Sequence, residues 1–134
     1  MRVFRTMDAG ASGMTAERLR MDIIASNIAN ANSTRTEAGG PYRRKMPVFA
    51  EDTGADGPKG VRVVAVRDDQ SPLKRVHDPG HPDAGSDGYV MFPNVEPVRE
   101  MVDLITAMRA YEANATLVST AKALASKALE IGRG

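Results

Sequence analysis

Residues 97–131 read PVREMVDLITAMRAYEANATLVSTAKALASKALEI, and they decide the fold because neither Pro nor Gly interrupts them after Pro97. Pro suits the first turn of a helix, and Asn94 or Glu96 is placed to accept hydrogen bonds from the first free amides. At 1.5 Å per residue the stretch predicts a helix of roughly 50 Å. We expect this C-terminal helix to end before Gly132.

The apolar residues of this helix follow a heptad spacing in two rows. The first row is Leu104, Met108, Tyr111, Ala115 and Val118, and the second, shifted by one position, is Leu117, Ala121, Leu124, Ala128 and Ile131. Such drift is expected because a straight helix has 3.6 residues per turn. A helix that is apolar on several faces requires more than one partner, so we expect other subunits to cover part of it.

A second helix is predicted from Val3 to Ala31, which contains no Pro. Its apolar stripe has helical spacing and consists of Met7, Ala11, Met14, Met21, Ala25 and Ile28. Gly10 and Gly13 weaken its first half by roughly 1 kcal/mol each relative to Ala. This helix is therefore predicted to need a partner helix.

The segment between the helices is rich in turn formers and short β-prone runs. Ser33 to Gly60 reads as loop-rich, with Tyr42 to Phe49 extended inside it. Val61–Val66 and Leu73–Val76 read as strands, and Tyr89–Phe92 as extended.

These patterns predict a mainly α fold with a small β-rich insert. The long N- and C-terminal helices are expected to pair as a coiled coil that flanks an irregular, β-hairpin-like middle. Residues 1–34 and 95–134 would form the helical core, and residues 35–94 the insert.

Composition supports helix seams over a thick core. The 134 residues contain no Trp, three Phe and three Tyr but eight Met, and aromatic residues supply the largest buried areas in compact cores.

The absence of Cys excludes disulfides, thiolate metal sites and a Cys nucleophile. A net charge of +1 gives no general attraction to nucleic acid. The start lacks the uninterrupted apolar run of a secretory signal, and no stretch has the length of a membrane span.

Two clusters suggest other chemistry, and both have simpler interpretations. The first cluster could hold a metal, but its members alternate with Pro and Gly, which favours turns; it consists of His77, Asp78, His81, Asp83 and Asp87. The basic run Arg43-Arg44-Lys45, beside Tyr42, could contact phosphates, but a solvated loop or salt bridges between subunits explain it better.

Two stretches resemble the terminal signatures of the flagellar axial family of rod, hook and hook-associated proteins. They are ASNIANANS at residues 25–33 and EMVDLITAMRAYEAN at residues 100–114, in the family's order. The short chain resembles the proximal rod subunits, and so do four central motifs: GPYRR at 40–44, DPGHP at 78–82, DGYV at 87–90 and PNV at 93–95. Ser33 stands where Thr is common in the family.

The resemblance implies a non-enzymatic structural subunit that polymerises through its terminal helices into the drive shaft linking the membrane ring to the hook. It implies partners among other rod subunits, the membrane-ring base and the type III export apparatus, with no cofactor, nucleic acid or small-molecule substrate. It also implies residence in the basal-body rod across the periplasm, after export without signal cleavage. The alternative is a cytoplasmic helical adaptor that works through coiled-coil contacts.

The expected subunit-interface residues come from the two terminal signatures and the helical rows. They are Asn27, Ile28, Asn30, Met101, Leu104, Met108, Tyr111, Asn114, Leu117, Val118 and Leu124. Asn27 and Asn30 share a helix face, and buried amides must be hydrogen-bonded, so they are suited to fix one register between neighbours. The alternative is that these Asn residues only cap a fraying helix end.

Overall fold

The computed structural model describes residues 2–133, which form two long helices and two antiparallel hairpins. The elements are α1 (Arg2–Ala29), β1 (Lys45–Gly54), β2 (Gly57–Asp68), β3 (Lys74–His77), β4 (Tyr89–Phe92) and α2 (Pro97–Arg133). The predicted mainly α fold with a small β insert is confirmed. Neither helix is long and apolar enough to cross a membrane.

The two helices pack side by side and antiparallel. Asn27 near the end of α1 contacts Glu100 at the start of α2, whereas Gly10 near the start of α1 contacts Val118. With 28 and 37 residues, the helices are about 42 and 55 Å long. The surplus of α2 extends past the start of α1, where Ile131 is 77% exposed. Coiled-coil geometry for this pair stays a prediction.

The two glycines of α1 are contact points with α2. Both are buried, and a Cβ added at Gly10 would lie 2.7 Å from Val118 Cγ2. A Cβ at Gly13 would lie 2.7 Å from Asn114 Nδ2. Their helix propensity predicts only weak positions, but the missing side chains of these glycines let the helix axes approach closely, which offsets that poor propensity.

The first hairpin is longer than predicted. β1 and β2 pair from Lys45↔Asp68 to Gly54↔Gly57, with irregularities after Val48 and after Asp52. The prediction of loop through Gly60 was therefore wrong for this segment. The turn at the hairpin tip could not be located from the sequence, because the Gly and Pro residues that suggest a loop lie within the paired strands.

The β1–β2 hairpin lies along α1. Ser12 Oγ accepts a hydrogen bond from Val61 N at 3.1 Å and donates one to Ala9 O at 2.7 Å. At the tip, Arg5 Nη2 donates to Asp56 O at 3.1 Å. The base of the hairpin lies at the other end of α1, where Asn27 contacts Lys45. Both the tip and the base of the β1–β2 hairpin are thus attached to α1.

The second hairpin and the linker into α2 complete a thin core. Residues Lys74–His77 pair with Tyr89–Phe92, in line with the predicted extended segments, and Val90 and Val95 are almost fully buried. Among the described residues, the other buried apolar ones are Ala16, Ile23, Ile24, Pro93, Ala107 and Ala121. Small residues at the helix seam replace the bulky aromatic centre of a globular core.

Replacing Gly10 with Val should destabilise the protein through the helix seam. The added side chain would overlap Val118 and approach the carbonyl of Asn114. Overpacking of this kind costs about 1–3 kcal/mol, measured as a loss of unfolding free energy in urea. Ala11→Val, exposed one residue away, controls for the β-branched side chain. Equal stability of the two variants would contradict a close-packed seam.

Candidate subunit interface and its polar junction

Asn27 forms the centre of a polar junction where α1, α2 and the first hairpin meet. Its Nδ2 donates to Lys45 O at 2.9 Å and to Glu100 Oε2 at 3.2 Å. Its Oδ1 accepts from Tyr42 Oη at 2.7 Å and from Lys45 N at 3.0 Å. The side chain is fully buried, and its amide has no hydrogen-bonding capacity left for a neighbouring subunit. Sequence analysis expected a subunit contact here, but the structure places Asn27 inside its own chain.

Glu100 is the buried charge of this junction, with 1% of its surface exposed. Arg44 Nε donates to its second carboxylate oxygen, and the Arg44 guanidinium also lies 3.2 Å from Asp69 Oδ2 and 3.7 Å from Asp103 Oδ2. A buried carboxylate is tolerated when it is paired and hydrogen-bonded. The basic run therefore serves the chain's own fold through Arg44, which corrects its interpretation as a solvated loop.

Asn94 joins the linker before α2 to the start of the hairpin. Its Oδ1 accepts from Arg44 N at 2.8 Å, and its Nδ2 donates to Asp69 O at 3.0 Å and to Ser71 O at 3.1 Å. Either Asn94 or Glu96 was predicted to cap α2. In the structure the side-chain amide of Asn94 instead connects three separate segments, and both its oxygen and its nitrogen are hydrogen-bonded there.

Electrostatics in the junction favour the ionised forms of Asp69 and Arg44. Hydrogen bonds from the Ser71 hydroxyl and N–H, and then the Arg44 charge, hold the pKa of Asp69 below its usual range. Burial alone would lower the pKa of Arg44, but its bonds and charge interactions with Glu100 and Asp69 outweigh burial and raise it. The junction therefore favours the carboxylate of Asp69 and the guanidinium of Arg44 at neutral pH.

The remaining expected interface residues differ in exposure. Those on α2 that are at least 40% exposed are Met101, Met108, Leu117 and Leu124. Half-buried ones are Ile28, Asn30, Leu104, Tyr111, Asn114 and Val118. Asn114 and Val118 border the glycines of α1, and Asn30 caps its own helix by donating to Ser26 O at 2.9 Å. The four exposed residues therefore remain open to another subunit.

Three further apolar residues join Met101 and Met108 on one side of α2. We call this set the outer α2 face: Val98, Met101, Val102, Ile105 and Met108, which are 75%, 50%, 57%, 53% and 46% exposed. Ile105 lies two residues, or about 200°, from the fully buried Ala107. The outer face is thus roughly opposite the α1 contact. Its helical spacing was a signal in the sequence, but the prediction named only Met101 and Met108 and missed Val98, Val102 and Ile105.

The His77–Asp87 region forms turns and hairpin contacts. His81 Nδ1 accepts from Asp83 N at 3.0 Å, and Asp83 in turn accepts from Thr34 Oγ1 at 2.7 Å. His77 stacks edge-on against Tyr89, with ring centroids 4.9 Å apart. Within residues 2–133 no three His, Asp or Glu side chains gather as metal ligands would.

Comparison with protein families matches both ends of the chain. Residues 7–35 match the family described as "Flagella basal body rod protein", and residues 86–131 match "Flagellar basal body rod FlgEFG protein C-terminal". The matched segments contain most of α1, the turn region before β4 and nearly all of α2. Both matches are to families of flagellar basal-body rod proteins.

Full-length relatives narrow the class further. The flagellar basal-body rod protein FlgC of Borreliella burgdorferi is 43% identical, with 100% of both chains covered. FlgC of Bacillus subtilis is 40% identical and FlgC of Salmonella typhimurium 39%, each across 99% of this chain and 100% of the relative. This chain belongs to the FlgC family of flagellar basal-body rod proteins.

Asn27→Leu should lower the free energy of unfolding by about 3 kcal/mol. Leu has a similar size but leaves Glu100 and the Lys45 backbone without their partners, and each unsatisfied buried group costs about 1–3 kcal/mol. Urea unfolding measures the loss. Asn30→Leu, at a half-buried position on the same helix end, is the control. A loss at Asn27 no greater than at Asn30 would contradict the central role of this amide.

Acid should weaken the junction at Asp69. Because its folded pKa is lowered, Asp69 adds stability above its unfolded pKa of about 3.9, and this is lost as pH falls through the folded pKa. Asp69→Asn should therefore be less stable than the wild type at pH 7, and the gap should shrink below about pH 4. Urea midpoints across pH test this, with the exposed Asp22→Asn as control. A gap independent of pH would contradict it.

Proposed function

We propose that this chain is a structural subunit of the flagellar basal-body rod, polymerising through its terminal helices. The observation that carries the proposal is the outer α2 face, five large apolar residues on the side of α2 away from α1. Membership of the FlgC family supplies the assembly to which that surface would contribute. No catalytic step or cofactor enters the proposal.

Further exposed apolar residues lie later in α2, about 100–120° around the helix from Ile105 in the case of Leu117 and Leu124. Leu117 and Leu124 are seven residues apart and 42% and 57% exposed, and Leu129 is 70% exposed near the end of the helix. Single apolar residues on a surface are ordinary, but contiguous ones mark interaction sites. Packing against helices of neighbouring subunits would remove them from water at about 25 cal/mol per Å².

The end of α2 provides a second surface for assembly. Gly10 of α1 lies beside Val118, so the start of α1 lies beside about residue 125 of α2. The rest of α2 has no α1 residues alongside it in the described chain. In a polymer this extension would lie against a helix of another subunit, as the coiled-coil prediction requires.

The proposed arrangement places the helices inside and the insert outside. Residues 1–34 and 95–134 would line the inner part of the rod, with residues 35–94 toward its exterior. The hairpin lies on α1 and leaves the outer α2 face uncovered, which supports this division. Other rod subunits and the membrane-ring base are the proposed neighbours. Export by the flagellar type III apparatus without signal cleavage, to a rod that spans the periplasm, belongs to the same proposal.

Ile105→Asp should abolish rod assembly and leave the monomer folded. The side chain is 53% exposed in the monomer, so the substitution should change its unfolding free energy by no more than about 0.5 kcal/mol. At a subunit interface the carboxylate would be buried without a partner, which is strongly unfavourable and repeats in every copy. Motility and purified basal bodies should both be lost in cells that carry only the variant. Leu124→Asp should behave alike.

Lys122→Glu is the matched control on the same helix, because Lys122 is exposed and already polar. It should retain motility. Thermal unfolding of purified monomers separates an assembly defect from a folding defect. Normal motility of an Ile105→Asp, Leu124→Asp double variant would overturn the assignment of these residues to subunit interfaces.

A further inference from the structure

Two turns of this chain share the pattern Gly-x-Asp-Gly. Residues 54–57 read GADG at the tip of the β1–β2 hairpin, and residues 85–88 read GSDG just before β4. The last glycine has a positive φ in both, +112° at Gly57 and +79° at Gly88. Because glycine has no Cβ, its backbone nitrogen is the least shielded from the carboxyl group of a preceding Asp. The same Asp-Gly sequence therefore occurs in two different structural environments.

In the second turn both carboxylate oxygens of Asp87 are held by hydrogen bonds. Its Oδ1 accepts from Tyr89 N at 3.1 Å, and its Oδ2 accepts from Arg75 Nη2 at 2.8 Å. The Tyr89 N–H first, and then Arg75, lower the pKa of Asp87 and keep it ionised, and a carboxylate is a poorer electrophile than a carboxylic acid. The glycine nitrogen does not distinguish the two turns, because Gly88 N donates to Gly85 O at 3.0 Å and Gly57 is paired with Gly54 across the hairpin turn.

In the first turn the carboxylate of Asp56 is open to solvent. Its side chain is 88% exposed, and within residues 2–133 its one ion-pair contact is with Arg5 Nη2, at 3.9 Å. At that distance an exposed pair holds a side chain only weakly. A Cβ built on Gly57 would meet nothing within 4 Å, so the neighbouring backbone is also open. Exposed loop tips are where the backbone moves most freely.

We propose that Asp56–Gly57 is a site of spontaneous isoaspartate formation and that Asp87–Gly88 is protected from it. The Gly57 nitrogen attacks Cγ of Asp56, an N–Cγ bond forms, and one water leaves with the amide proton and the carboxyl hydroxyl. Water then adds to the α-carbonyl of the resulting succinimide and breaks its bond to nitrogen. The backbone now runs through the side-chain carbonyl, and the former α-carbonyl becomes the free carboxylate. Water is the sole co-reactant.

The modification would act on the attachment of the hairpin to α1. Arg5 Nη2 donates to the backbone carbonyl of Asp56 at 3.1 Å. The rearrangement converts that carbonyl into a carboxylate and adds a methylene to the backbone, so the two-residue turn loses its geometry. The hairpin tip would be released from α1, and the Asn27 junction at the other end of the hairpin would stay intact.

The test uses the purified full-length chain, aged for weeks at neutral pH. Protein isoaspartyl methyltransferase labels isoaspartate, and peptide mapping by mass spectrometry assigns the label to each turn. We expect severalfold more label at Asp56 than at Asp87. Synthetic peptides of the two turns, which lack the fold, should be labelled at similar rates, so that any difference in the protein is due to structure.

Two variants test the cause. Asp56→Glu should lose the label at the hairpin tip, because the longer side chain would have to close a six-membered ring, which forms far more slowly. Arg75→Ala, at an exposed position, should raise the label at Asp87 severalfold by freeing its carboxylate. Equal labelling of the two turns in the folded wild type, or no label at Asp56, would overturn the proposal.

Discussion

The amide of Asn27 is the constraint on which the arrangement of this chain depends. Its four hydrogen bonds reach Tyr42, both backbone groups of Lys45 and the carboxylate of Glu100. Those partners belong to the segment before the hairpin, the first residue of β1 and the first turns of α2. Since Asn27 is fully buried, a shift of either helix would leave several polar groups unsatisfied. One side chain thereby fixes both the helix register and the base of the insert.

Small residues let the two helices approach closely away from Asn27. Gly10 and Gly13 admit α2 at close range, and Ala107 and Ala121 are the buried apolar residues of α2. A seam of this kind is narrow, and the five large apolar residues of the outer α2 face lie on the opposite side of the helix. The same composition that makes a thin monomer core therefore leaves apolar surface for a polymer, and this links the aromatic-poor sequence to the proposed rod function.

The charged residues near the base of the first hairpin form ion pairs within the chain. Arg44 is committed to Glu100, Asp69 and Asp103, and Lys45 pairs with Asp68 at 2.7 Å. These ion pairs link segments that lie far apart in the sequence. The basic run thus stabilises the fold through ion pairs inside the chain, whereas the outer α2 face consists of apolar residues.

The sequence by itself determined the two helices, their approximate ends and the small β insert. Helix periodicity, Pro97 and the absence of helix breakers are local signals, and they act wherever the chain lies. The terminal motifs also indicated the family correctly. The length of the first hairpin was missed because Gly54, Gly57 and Gly60 resemble loop residues until strand pairing is known.

Only the tertiary structure decided what the singled-out residues contact. Asn27 looked suited to bind a neighbouring subunit, but its partners lie 15, 18 and 73 residues away in the same chain. Gly10 and Gly13 looked like weak points until α2 was found against them. Which apolar side of α2 faces α1 also depends on where these glycines and Asn27 lie. Spacing along a helix shows which residues share a face, but the choice of partner for that face is made by close approach and hydrogen-bond satisfaction in three dimensions.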